Sequence, residues 1–173
     1  VMSDENLGLK PGLATSWKPI ADTTGEFKIR EGVKVHDGSE LTAEDVKFSI
    51  DRIPVVTGPM SMTIYTKQVA ETKVADKYTL HVKTKAPAPT LPNDFIRLFV
   101  VSKSVGMEAR NEQFNSGKAA IGTGPYKFVS WEPKGDFVVE RFDGYWGAKQ
   151  PWQKVVRKEI PSDPARMAAL KSG

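Results

Sequence analysis

Residues 26–31 read Glu-Phe-Lys-Ile-Arg-Glu, and this strict alternation limits the fold more than any other feature. Successive side chains of a strand point to opposite faces, so Phe27 and Ile29 share one face and the charges take the other. A strand of this kind is half-buried, with one face on a core and one in water. The pattern recurs. Tyr78, Leu80 and Val82 alternate with Thr79, His81 and Lys83; Tyr126, Phe128 and Ser130 alternate with Lys127, Val129 and Trp131. Turn residues punctuate these runs at Asp22-Thr23-Thr24-Gly25, His36-Asp37-Gly38, Asp76-Lys77 and Pro133-Lys134-Gly135-Asp136. Strands are therefore expected over 26–31, 68–75, 78–83, 126–131, 137–142 and 154–160. The pairs 68–75 with 78–83 and 126–131 with 137–142 form hairpins. Val33 and Val35 resume the first alternation, and 99–102 reads as a buried strand.

Two helices carry start signals. Thr42 followed by Asp45 is close to a capping box, with Asp where Glu is more usual. Val46, Ile50 and Ile53 then fall at i, i+4, i+7, an inward stripe that Pro54 ends. Asp163-Pro164 opens a second helix, with Asp163 as N-cap, Pro164 at N1, and Met167 and Leu170 facing inward. Residues 90–96 suit a short helix and 103–117 a partly helical stretch. Residues 55–62, with Gly58-Pro59, read as a loop. Ala86-Pro87-Ala88-Pro89 reads as a stiff polyproline-like linker. The fold class is α+β, with mixed or antiparallel sheets, β-hairpins and a few helices.

Composition removes several chemistries. Among 173 residues there is no cysteine, which excludes a disulfide scaffold, a thiol nucleophile and thiolate zinc ligation. Missing cysteine does not by itself fix the compartment. The two histidines, His36 and His81, cannot build a His-rich metal site and lack a carboxylate cluster at ligand spacing, so no metal is expected. The longest strongly apolar run, 98–101, is far short of the roughly 20 residues that span a bilayer. Residues 1–10 carry acids and no apolar stretch, so they are not expected to act as a signal peptide. The 25 basic and 21 acidic side chains are interleaved, giving a net charge of +4 and no patch for nucleic acid.

The remaining constellations read mainly as scaffold. His36-Asp37 is a turn rather than half of a catalytic dyad, since no serine stands in a nucleophile-elbow sequence. Gly122-Thr123-Gly124 precedes a strand, whereas a phosphate loop needs a helix N-terminus after it, so the glycines are assigned to a tight turn. Trp17, Tyr126, Trp131, Tyr145, Trp146 and Trp152 fit core packing better than a ligand cleft. Arg97, beside an apolar run, fits a local acid or a snorkelling side chain better than a ligand carboxylate. No nucleophile–base pair is present, so the chain is not read as an enzyme, and no cofactor is implied.

The order of the landmarks adds a resemblance. Leu13-Ala14-Thr15-Ser16-Trp17 is followed by Phe27-Lys28-Ile29-Arg30-Glu31-Gly32-Val33-Lys34-Val35-His36-Asp37-Gly38. Next comes Leu41-Thr42-Ala43-Glu44-Asp45-Val46-Lys47-Phe48-Ser49. Gly122-Thr123-Gly124-Pro125-Tyr126, Gly144-Tyr145-Trp146 and Pro161-Ser162-Asp163-Pro164 follow, with Arg166, Ala169, Leu170 and Gly173 after them. From about Leu9 to Gly173 this resembles the family 5 extracellular solute-binding proteins, the peptide/nickel type serving ABC importers.

The resemblance implies a periplasmic-binding-protein-like fold (class II, peptide-type) of two lobes around a cleft, in proteins about three times this long. This chain then corresponds to part of lobe I. Residues 1–118 match the extra subdomain of that lobe, residues 119–173 match part of its core, and the second lobe is absent. The implied function is capture of a peptide or similar small solute for an ABC permease, in the periplasm or anchored at the cell surface. A ligand-presenting receptor or chaperone on the same fold is the alternative. The resemblance places the 60–65 loop and the segment around Arg97 near ligand, which makes Met62, Tyr65 and Arg97 the candidate ligand-binding residues. A partial lobe is expected to bind weakly alone and to self-associate through faces the missing lobe would cover.

Overall fold

The computed structural model describes residues 1–56 and 62–172. Two short strands, β1 (Met2–Ser3) and β2 (Leu9–Lys10), pair antiparallel at the start. Then follow β3 (Ala14–Ala21), β4 (Thr24–Ile29), helix α1 (Ala43–Arg52), β5 (Val69–Asp76) and β6 (Thr79–Thr84). These four longer strands form one antiparallel sheet in the order β3-β4-β6-β5, so β4 and β6 are central. Single turns α2 (Leu91–Asp94) and α3 (Asn111–Asn115) precede a second antiparallel sheet, β7 (Tyr126–Trp131), β8 (Asp136–Arg141) and β9 (Lys154–Lys158), and helix α4 (Asp163–Ser172). The six strands expected over 26–31, 68–75, 78–83, 126–131, 137–142 and 154–160 and their two hairpins are present, with ends moved by at most two residues. Strand β3 and the β1–β2 pair are additions. Of the loop expected over 55–62, residues 57–61 lie outside the described residues.

The alternation is realised as expected. Phe27, Ile29, Leu80 and Val82 face the core, where Val33, Val35 and Leu41 are also fully enclosed. Each such side chain contributes about 1.5–3 kcal/mol by leaving water. On the opposite face Glu26 accepts from His81 Nε2 at 3.2 Å and pairs with Lys18 at 3.4 Å. The His81 bond, then the nearby lysines, hold the Glu26 carboxyl below its ordinary range. Val33 and Val35 do not extend a strand. They form a tight loop in which Leu41 N–H donates to Val33 O at 2.9 Å and Val35 N–H to Ser39 O at 2.9 Å. Gly38 turns that loop with φ +87°, a region that disfavours side chains. Asp37 accepts from the Ser39 amide and hydroxyl, so it serves the turn rather than His36.

Helix α1 starts as read. Asp45 Oδ2 accepts from Thr42 N–H at 2.8 Å and from the Thr42 hydroxyl at 3.0 Å. Its buried face carries Ala43, Asp45, Ser49 and Ile50, so two polar groups sit among the apolar ones. Asp45 Oδ1 accepts from Lys103 N–H at 3.0 Å. Ser49 Oγ accepts from Val101 N–H at 3.0 Å and lies 3.1 Å from Val101 O. These bonds strap residues 101–103 to the helix.

Three expectations are corrected. Residues 99–102 are not a buried strand: Phe99 is 82 % exposed, and among the described residues the segment pairs only through the Val101–Gly122 bridge. Within it Ser49 Oγ accepts from Val101 N–H and Ile121 O from Ser102 N–H, so a side chain and a single bridge stand where a full strand pairing was expected. Helix α4 is exposed along its length, with Met167 at 55 % and Leu170 at 80 %, because no described element covers its apolar side. Its capping oxygen is Ser162 Oγ, 3.2 Å from Ala165 N, rather than Asp163, which pairs with Arg166 inside the first turn. No described helix is long and apolar enough to cross a membrane.

Candidate functional site

The two sheets meet at His36. Its backbone N–H donates to Gly122 O at 2.9 Å, and Gly122 N–H donates to Nδ1 at 3.3 Å. Nε2 lies 3.0 Å from Gly124 O, an acceptor only. These partners assign the neutral ring with its proton on Nε2. Phe142 packs edge-on against the ring at 5.1 Å. Both nitrogens are committed to the backbone, which leaves no base for catalysis there. Neither Gly122 nor Gly124 has a positive φ, so the expected backbone-freedom argument does not apply to this loop. The loop is held by His36 and precedes strand β7, as the sequence order requires.

Beside this junction, under the first sheet, lies a cavity of about 440 Å³. The size is within the range of small-molecule pockets. Phe27, Ile29 and Leu80 form its sheet wall, Val46 and Ile50 its helix wall, and Phe95, Ile96 and residues 98–100 a third side. Gly122–Gly124 and the Tyr145-Trp146 pair close another side, and Val1 and Met2 reach it from the N-terminus. The Arg30 guanidinium stacks on the Trp146 ring at 4.6 Å and ties the aromatic loop to β4. Two polar side chains reach the walls. Ser49 is committed to residue 101. Thr123 is buried, and its hydroxyl has no hydrogen-bond partner among the described residues.

The candidate ligand residues fall in two places. Met62 and Tyr65 bracket one 3-10 turn, Thr63–Tyr65, in which Tyr65 N–H donates to Met62 O at 3.0 Å; both are half-buried. Arg97 ends the turn Phe95–Arg97, is exposed, and has no carboxylate or carbonyl partner among the described residues. None of the three lines the cavity, although Ile96 and Leu98 on either side of Arg97 do. The aromatics divide: Tyr145 and Trp146 line the cavity and Trp17 packs on the core, whereas Trp152 is 68 % exposed. No cluster of three or more His, Asp or Glu side chains suited to a metal occurs among the described residues. Sequence reasoning missed the Asp45–Ser49 strap. Its signal was present as two polar residues four apart beside Val46 and Ile50.

Residues 8–173 match the middle section of the bacterial extracellular solute-binding proteins, family 5, and the chain belongs to that family. Its fold is shared with solved structures of an oligopeptide-binding protein and of a protein in complex with Ni(L-His). The glutathione-binding protein GsiB of Pectobacterium atrosepticum is 31 % identical over 175 residues, covering 98 % of this chain and 33 % of that protein. The oligopeptide-binding protein AppA of Bacillus subtilis, solved with a nonapeptide, superposes with a TM-score of 0.87 at 27 % identity. NikZ of Campylobacter jejuni, solved with Ni(L-His), gives a TM-score of 0.87 at 26 % identity. Each superposition covers 99 % of this chain and 35 % of the other. The chain thus spans about a third of the length of its relatives.

Proposed function

We propose that this chain is part of the first lobe of a solute-binding protein that captures a peptide or similar small solute outside the cytoplasmic membrane and delivers it to an ABC permease. The observation that carries this reading is the family match over 8–173 together with the superposition on a nonapeptide-binding relative. Residues 1–118 form the extra subdomain and residues 119–173 part of the lobe core. The protein acts in the periplasm or anchored at the cell surface, and it binds rather than catalyses. Met62, Tyr65 and Arg97 contact the solute. Arg97 is the most specific of them, because an exposed guanidinium without a carboxylate partner suits a solute carboxylate.

Calorimetry tests this on the longer protein with glutathione and a panel of short peptides. Binding of one class at micromolar or tighter affinity is expected, and no binding across the panel overturns the reading. In the same protein Arg97→Ala is expected to weaken binding at an unchanged melting temperature. Unchanged affinity removes Arg97 from the site.

A further inference from the structure

We propose that the second sheet carries a binding site of its own, for a planar aromatic carboxylate. An open groove of about 460 Å³ lies on one face of β7, β8 and β9, within the size range of small-molecule sites. Phe114, Tyr126, Phe128, Trp131 and Phe137 line it with rings, and Trp131 keeps 39 % of its surface exposed. Met62, Tyr65 and Arg97 are not among its lining residues.

The strand register sets the chemistry of the ligand. Trp131 pairs with Phe137 and Phe137 with Arg157, so the three form one row across the sheet. Directly opposed residues share a face and lie about 5 Å apart. Two rings are thus followed, one strand further on, by a guanidinium. Arg157 lines the groove, and among the described residues it pairs with no carboxylate and stacks on no ring. Asn115 lines it too, with a side-chain amide that has no partner among the described residues. His36 adds no charge, because Gly122 N–H and Gly124 O hold its ring neutral. A flat aromatic ligand stacks on the rings, and its carboxylate accepts from the Arg157 fork. Arg157 repels a cation, and a wholly apolar occupant leaves that guanidinium unused.

The ring walls are set before any ligand arrives. Phe128 packs so closely on Gly117 that a Cβ there would lie 2.2 Å from its Cδ1, and it meets Phe137 edge-on at 6.0 Å. The Tyr126 hydroxyl donates to Trp152 O at 3.1 Å, which fixes that ring. Walls ordered in advance lose little freedom on binding.

Calorimetry with naphthoate on the longer protein tests the proposal, with naphthamide as the uncharged counterpart. Naphthoate is expected to bind at least about tenfold more tightly than the amide. Arg157→Gln, at an exposed position, is expected to bring the two to equal affinity. Trp131→Ala is expected to weaken both, and Trp131→Phe to restore binding, so a folding defect is told apart from a lost ring. Arg97→Ala is expected to leave naphthoate binding unchanged, which separates this groove from the solute site. No binding of naphthoate overturns the proposal, as does equal affinity for acid and amide in the unaltered protein. Naphthoate binding that Arg97→Ala abolishes and Arg157→Gln spares assigns the probe to the solute site and also overturns it.

Discussion

At the scale of single residues, His36 carries the junction between the sheets. His36→Ala leaves Gly122 N–H and Gly124 O without a partner and is expected to lower stability by about 1–3 kcal/mol in urea unfolding. Gly117 combines φ +82° with a position where a Cβ would lie 2.2 Å from Phe128 Cδ1. Gly117→Ala is expected to cost about 1–3 kcal/mol through strain and overpacking, read from the same transition. The Glu40 carboxyl is held at about 2 by the Tyr78 hydroxyl and then by Lys77. A depressed carboxyl adds stability above its ordinary pKa and loses it as pH falls toward the folded value. Melting temperature is therefore expected to drop from pH 4.5 to about 2, and Glu40→Gln should shallow that slope. The turn at His36-Asp37-Gly38 was legible because Gly38 and Asp37 act locally. The partners of His36 were not, since they lie 86 and 88 residues away and no local pattern encodes that distance.

At the scale of elements, helix α1 acts as a clamp as well as a core element. Ser49→Ala removes the side-chain acceptor for Val101 N–H, and is expected to cost about 1 kcal/mol while speeding hydrogen exchange at that amide. Exchange unchanged at Val101 would refute the strap. The strands were readable because period-two alternation and turn residues agree in 26–31 and 78–83. The segment 99–102 was misread because an apolar run without a paired neighbour looks the same in sequence as a buried strand. Helix α4 teaches a related point: Met167 and Leu170 mark a face that suits cover, but spacing along a helix does not say what provides it. Leu170→Glu in this chain is expected to change stability by less than about 0.5 kcal/mol, because the side chain is 80 % exposed.

At the scale of the whole molecule, chain 1–173 presents exposed Val129, Trp131, Trp152, Val156, Met167 and Leu170 on its second sheet, adjoining loop and last helix. Such surface favours association. Sedimentation is expected to show oligomers growing with concentration, and a monomer at high concentration would refute this. If solute is held between two lobes, as in the function proposed above, this chain alone is expected to bind it weakly or not at all. The candidate site was less legible than the fold. Motifs such as Gly122-Thr123-Gly124 and His36-Asp37-Gly38 belong to the scaffold, and Met62, Tyr65 and Arg97 stand in segments with no comparable local pattern.

The separation of His36 from Gly124 also has a meaning in time. All four strands of the first sheet and helix α1 lie within residues 14–84, so that unit is fully synthesised well before the loop that seals it. Ribosomes add about 5–20 residues per second, so the 40 residues from the end of that unit to Gly124 take about 2–8 s. For that interval the imidazole and the core edge beside it face the exit environment uncapped. Newly made chains are therefore expected to be open to chaperones and proteases at this junction.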